Sequence, residues 1–488
     1  MFIALCICET AAFLLLLSLY RASTKPDLLS FLQSFPGFIF LGAAITLAVS
    51  VGWILRTIHR CAPPNRKFLI MAMGMNILAL SLTITAVELG LRTLSGSNNE
   101  TVLGVVLYPK QWSRFLSQAE ETAKKIAHEG SYVIHDPTLG WTIAPSYNGR
   151  ESSEFSSTEG LRSPRPAMTF NDLHARHSGT SEYPASVRIA LIGDSMTFGY
   201  EVQCQDSWAH ELEGLLQPHA QVLNFGVSAY SLHQALLRYE KDVRPWNPQV
   251  VVIGISSQML TRVNSLYPVL MNPEWTGFPF ARPRPFAKNG IISTMNHPVP
   301  TPEQILSSSQ IRDLPHVNAD EYYNPFQWPR GGIWQMLEWS YIFRFTNSVR
   351  PPSESLPSNS FSSAIGPLTK EATALSQIAV RQLVQTVLDD GSIPLVIHLP
   401  YLTEVKKSQE SSNYSPLVPK ILQAAGIEYI DITRCLIGTD PISAHYMPGG
   451  HYSPQAGSVI AQCLKPILQE KVRLPHLGSS LETAAPPK

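Results

Sequence analysis

Three apolar runs open the chain. Residues 3–20 are interrupted only by Glu9, and residues 36–55 and 68–87 are uncharged over 20 residues each. At 1.5 Å per residue such a run covers about 30 Å, the thickness of a bilayer's hydrocarbon core. In lipid the backbone must satisfy its own hydrogen bonds, so each run is expected to be a transmembrane helix. The first run lacks the basic start and small-residue cleavage site of a signal peptide, and it is read as a helix with Glu9 packed or snorkelling. The connector "RTIHRCAPPNRK" holds Arg56, Arg60, Arg66 and Lys67 without an acid. By the positive-inside rule that loop is cytoplasmic, which puts the N-terminus inside and everything beyond about Leu91 outside.

After the membrane segment the pattern changes twice. A polar helix is expected within "QWSRFLSQAEETAKKIAHEG", followed by an irregular stretch rich in Ser, Pro, Gly and Asn over 131–185. From Val187 short continuous apolar runs alternate with helical periodicity. The strands are "VRIALIG", "QVLNFG", "QVVVIGI", "PLVIHLP" and "IEYIDI", and the helices are expected near 208–216, 232–242, 373–388, 416–425 and 454–471. Continuous apolar strands separated by helices signal a parallel sheet covered on both faces. The fold class is therefore α/β, a three-layer sandwich around a five-stranded, mainly parallel, flavodoxin-like sheet, preceded by three transmembrane helices. The Pro- and aromatic-rich stretch 261–370 interrupts this rhythm and is too long for a structureless loop. Two readings of it stay open, a lid shaping a substrate site and a surface elaboration. The expected domains are 1–95 in the membrane, 96–185 as stalk and approach, 186–475 as the α/β domain and 476–488 as a disordered tail.

Composition narrows the function. Lysine plus arginine and aspartate plus glutamate each number 37, so there is no net positive charge to hold a nucleic acid. Charged residues are 15% of the chain, below the roughly 25% of typical soluble proteins. Three of the six cysteines, Cys204, Cys435 and Cys463, fall in the exterior part. A Cys435–Cys463 bridge and buried thiols are both open, and no Cys/His spacing suggests a metal.

The first exterior strand ends in "GDSMTFG". Ligands of open parallel sheets sit at the carboxyl ends of the strands, so Ser195 stands where a nucleophile would. A serine there also serves as a helix cap. Neither a dinucleotide fingerprint nor a P-loop is present.

The block "GDSMTFGY" resembles the first block of the SGNH (GDSL-type) hydrolase family, whose nucleophile is the serine of the GDS triplet. "NFGVSAYS" resembles the second, in which a glycine amide, here that of Gly226, helps form the oxyanion hole. "GGHYSPQAG" resembles the last, which supplies the catalytic histidine, here His451. "DPTLGWTIAPSYNGRESSEFSSTEGLRSPR" resembles the approach to the first block in membrane-anchored bacterial members. The three blocks occur in the family's order over about residues 135–470.

Two positions depart from the family pattern. The third block normally reads G-x-x-N-D; here "GISSQML" has neither the asparagine nor the aspartate, and Gln258, followed by Met259, is taken as the asparagine's counterpart. Glutamine also donates an N–H, but it is one methylene longer. The aspartate that usually precedes the histidine by two or three residues is replaced by Pro448 and Gly449. Asp440 is the nearest upstream acid and the candidate for orienting His451, and Asp431 reads as structural. His233, His398 and His445 read as structural histidines.

The resemblance implies acyl transfer through Ser195, with His451 as base and the Ser195 amide, the Gly226 amide and the Gln258 side chain around the oxyanion. It requires no metal or other cofactor. The expected protein is a membrane-anchored extracytoplasmic serine esterase acting on ester-linked acyl groups of envelope glycans or lipids. An O-acetyltransferase for envelope polysaccharide and a catalytically silent glycan-binding domain are the alternatives.

Overall fold

The computed structural model describes residues 56–60, 63–95, 101–148, 155–156, 161–163, 187–271, 280–288, 291–349, 368–437 and 441–472, with isolated positions before residue 55. They fall into two compact units. The first comprises Met1–Leu116, Ser308–Leu314 and Tyr323–Pro357, and the second Ser117–Ser307, Pro315–Tyr322 and Ser358–Lys488.

The first unit contains the long helix Pro63–Leu94. Two prolines open it, where the missing N–H costs nothing because the first helical amides have no intrahelical acceptor. Its part Ile70–Leu94, 25 residues with mean hydropathy 1.9, is long and apolar enough to cross a bilayer. It is the one such helix among the described residues. Of the other two expected spans, 3–20 and 36–55, nearly all lies outside the described residues, so one candidate span stands where three were expected. Part of the stretch expected to form an insertion, residues 323–349, also belongs to this unit.

The second unit is built on a five-stranded sheet. Its strands are β1 Val187–Ile192, β2 Ala220–Asn224, β3 Val250–Ile255, β4 Ile393–His398 and β5 Ile430–Asp431. The order is β5–β4–β3–β1–β2 and every neighbouring pair is parallel. The covering helices are α1 Ser195–Phe198, α2 Trp208–Leu216, α3 Leu232–Arg238, α4 Ser257–Thr261, α5 Lys370–Asp389, α6 Leu402–Glu410, α7 Leu417–Ala425 and α8 Pro454–Lys471.

The strands read as unbroken apolar runs because both faces are buried. Ile189 and Leu191 pack on one side with Trp208 and Leu212 of α2 and with Ile460 and Leu464 of α8. Ala190 and Ile192 pack on the other with Leu232 and Leu236 of α3 and with Val380 and Leu383 of α5. Burying a side chain of this size stabilises by about 1.5–3 kcal/mol. The order of strands reverses between β1 and β3, and the crevice at that switch point is where such folds hold ligands.

Two expected elements come out shorter. β5 keeps two of the residues of "IEYIDI", since only Ile430 and Asp431 reach a partner in β4. α3 ends as an α-helix at Arg238 and continues through a π turn over Tyr239–Val243 and a 3₁₀ turn over Arg244–Trp246. Short extended pieces are expected in the approach stretch, and its described part contains the hairpin Val133–Asp136/Gly140–Ile143. Trp141 of this hairpin donates from Nε1 to Ser228 O at 3.0 Å, and Tyr230 OH donates to Trp141 O at 2.6 Å.

Candidate active site

At the end of β1 the chain turns into α1 within two residues. Asp194 caps the helix by accepting from Met196 N at 3.1 Å. Its other oxygen accepts from Ser256 Oγ at 2.6 Å and Arg262 Nη1 at 3.2 Å. Both partners of this ion pair are fully buried, so removing either would leave an uncompensated charge. Asp194 therefore fixes the turn that carries Ser195. Ser195 is the first residue of α1, and its N–H is one of those that a helix leaves without an intrahelical acceptor.

His451 arrives from a separate loop just before α8. Tyr446 and Tyr452 pair across this loop as an isolated bridge. Both hydroxyls donate to Pro400 O at 2.9 Å, just past the end of β4. Met447 N donates to His451 O at 2.7 Å, and Ser453 caps α8 through Ala456 N. The histidine is thus held at the same sheet edge as the serine. Its Nε2 lies 2.9 Å from Ser195 Oγ, across 256 positions of sequence.

The other ring nitrogen settles the proton assignment. His451 Nδ1 lies 2.6 Å from Glu201 Oε2. The same carboxylate accepts from Gly449 N at 2.8 Å and from His451 N at 3.1 Å. Burial opposes ionisation of Glu201, but the bonds from the imidazole and the two amides outweigh it and hold its carboxyl below the ordinary glutamate value. An ionised carboxylate only accepts, so Nδ1 carries the hydrogen and the Nε2 lone pair faces the serine hydroxyl.

Glu201 thus occupies the position for which Asp440 was the sequence candidate, and Asp440 lies outside the described residues. The acid comes from the serine's own loop. Gly199 closes α1 in the left-handed conformation at φ 79°, and Glu201 is itself left-handed at φ 71°. Those two reversals bring the carboxylate back over the histidine loop.

The expected oxyanion donors are differently placed. Gly226 N donates to Asn224 Oδ1 at 3.0 Å, so this amide must exchange that acceptor to serve an oxyanion. A Cβ at Gly226 would sit 2.7 Å from Phe198 N, which requires glycine there. Gln258 accepts from Arg262 Nη2 through Oε1. A guanidinium only donates, so the carboxamide oxygen is fixed toward Arg262 and its NH₂ faces the other way.

Three other histidines of the sequence analysis have surroundings of their own. His233 Nε2 lies 3.0 Å from Thr294 Oγ1, and burial lowers its pKa to about 3. His398 Nδ1 lies 2.9 Å from Asp431 Oδ1, which accounts for Asp431. His445 is fully buried, and burial lowers its pKa. Among the described residues no group of three His, Cys, Asp or Glu side chains is placed to hold a metal. Cys435 and Cys463 form a disulfide between the segment after β5 and α8.

No family profile matches this chain, and no curated protein does either. Among solved structures it is similar to a G-D-S-L family protein from Desulfitobacterium hafniense, with 14% identity, 58% of this chain and 99% of that chain covered, and a TM-score of 0.28. The acetylxylan esterase Axe2 from Geobacillus stearothermophilus aligns at 12% identity over 60% of this chain and 96% of its own, with a TM-score of 0.29. TesA aligns at 11% identity over 58% and 99% of the two chains, also with a TM-score of 0.29.

Proposed function

We propose that this protein is a membrane-anchored, extracytoplasmic serine esterase of the SGNH type that removes ester-linked acyl groups from envelope glycans or lipids. The observation that carries the reading is the unbroken chain Glu201–His451–Ser195, with contacts of 2.6 and 2.9 Å. In this scheme His451 Nε2 takes the Ser195 proton as Oγ attacks the ester carbonyl, and Glu201 stabilises the imidazolium that forms. The oxyanion meets the Ser195 amide, with the Gly226 amide and the Gln258 NH₂ as further donors. The protonated histidine then gives its proton to the leaving alcohol. A water activated by the same histidine releases the acid and frees the serine.

Anchoring and placement rest on three features. They are the apolar helix Ile70–Leu94, the cluster Arg56, Arg60, Arg66 and Lys67 before it, and the Cys435–Cys463 bridge, a feature of oxidising compartments. At the outer face of a membrane the available esters are acylated glycans and lipids. If a sugar hydroxyl replaces water in the second half, the same residues perform O-acetyl transfer.

The commitment of the Gly226 amide to Asn224 favours the other reading, a catalytically silent glycan-binding domain. Reaction of the full-length protein with a fluorophosphonate probe and with an activated acetate ester separates the two. The esterase reading expects both reactions and their loss in Ser195→Ala. Absence of both from the wild-type protein, or their persistence in the variant, would overturn it.

A further inference from the structure

Around the end of the long apolar helix, the first unit exposes a set of large apolar side chains that its own folding does not cover. Ile333 is 87% exposed, Met336 88% and Trp339 64%. They recur every third residue through the 3₁₀ turn Gly332–Trp334 and the short helix Gln335–Trp339, so they share one face. The opposite face is complete. Trp334 and Leu337 pack on Phe343, and Glu338 accepts from Arg330 N at 2.6 Å and Gly331 N at 2.9 Å. The outward face is therefore not left over from a poorly packed segment.

The height of this face relative to a bilayer can be read from the helix it is tied to. Between Lys67 and Glu88 the chain carries no charge for 20 residues, about 30 Å of helix. Glu88 thus marks where the hydrocarbon ends. Its carboxylate accepts from Tyr341 N at 2.8 Å, Ile342 N at 3.0 Å and Ser340 Oγ at 3.0 Å. One turn further, Arg92 Nη2 donates to Trp339 O at 3.4 Å, and its guanidinium lies over the Tyr341 ring at 5.1 Å. The apolar face is fastened at the level of the membrane–water boundary, where Trp side chains are favoured and short amphipathic elements lie in the plane.

From this we propose that Ile333, Met336 and Trp339 form an interfacial foot that inserts into the acyl–headgroup boundary of the outer leaflet. The occupant is lipid, and the foot holds the first unit at a fixed depth. The inference rests on the anchoring proposed above.

The test uses the full-length protein reconstituted in vesicles of phosphatidylethanolamine and phosphatidylglycerol, with acyl chains brominated either near the headgroup or near the chain terminus. Wild-type tryptophan fluorescence should contain a component quenched by the shallow bromines that Trp339→Phe lacks. Met336→Trp in that background should restore it. Equal quenching of wild type and Trp339→Phe, in protein that resists alkaline extraction, would overturn the foot and leave the anchor standing. The same holds if the lost component is quenched mainly by the deep bromines, or is unquenched by lipid and shielded from acrylamide, as a protein partner would make it. Release by alkali without lipid quenching would remove both readings.

Discussion

Glu201 has two jobs in the same few ångströms. It holds the imidazole by Nδ1, and it closes the histidine loop through the amides of Gly449 and His451. Glu201→Gln keeps the shape but can present an NH₂ to Nδ1, which favours the tautomer with its proton toward the serine. The expected result is a fall in kcat of about 10³–10⁴-fold with little change in KM, measured on an activated acetate ester. A rise in KM with kcat unchanged would place Glu201 outside the chemistry. The loop-closing job has its own signature. Because the folded-state pKa of Glu201 lies below its ordinary value of 4.5, its contribution to stability is complete above that value. It is lost as pH falls through the lower, folded value. Melting curves of wild type and Glu201→Gln should therefore differ at neutral pH, begin to converge as pH falls below 4.5 and coincide only below the lower, folded value. The meeting of Ser195 and His451 was legible in the sequence because each sits in a local pattern at a strand end or helix start. Glu201 was not, because the family pattern places the orienting acid just before the histidine, whereas here two left-handed residues bring it back from the serine side. The available signal was an acid six positions after Ser195, just beyond a glycine that ends its helix.

At the scale of elements, the strands that were easiest to read are those buried on both faces. β1, β3 and β4 have apolar side chains at nearly every position because each face meets a helix layer. The edge strand β5 is shorter than its apolar run, since such a run does not tell where its hydrogen-bonding partner stops. The span 323–349 was unreadable for another reason, because its contacts lie with a unit distant in sequence. The turn between β2 and α3 offers a direct check on the site's tolerance. Gly226→Ala would force a shift against the Phe198 backbone, and overpacking of this kind costs about 1–3 kcal/mol. The expected outcome is a lowered Tm and, if Gly226 N serves the oxyanion as proposed, an activity loss of about 10²-fold, the low end for losing one such donor. An active, equally stable variant would show that this loop is not close-packed on α1. The Cys435–Cys463 bridge ties α8, and with it the loop of His451, to the segment after β5 across a separation of 28 residues. Cys463→Ser should lower unfolding free energy by about 3 kcal/mol, read from denaturant melts under non-reducing conditions.

For the whole molecule, the same bridge reports which side of the membrane the second unit occupies. A disulfide persists in an oxidising compartment and is reduced in the cytoplasm. Orientation in turn is governed by lysine and arginine in the short loops, and the connector with Arg56, Arg60, Arg66 and Lys67 is the strongest such loop in the chain. The two ideas make one prediction. In intact cells producing the wild-type chain, Cys435 and Cys463 should resist alkylation until a reductant is added. Neutralising the four cations to glutamine weakens the retention signal and should invert a fraction of molecules. In that fraction both cysteines become alkylated without reductant, and the second unit loses accessibility to external protease to the same extent. Alkylation of both cysteines in wild-type cells would contradict an extracytoplasmic catalytic unit, whatever the chemistry of Ser195. A variant in which bridge and accessibility are both unchanged would show that these four cations do not set the orientation.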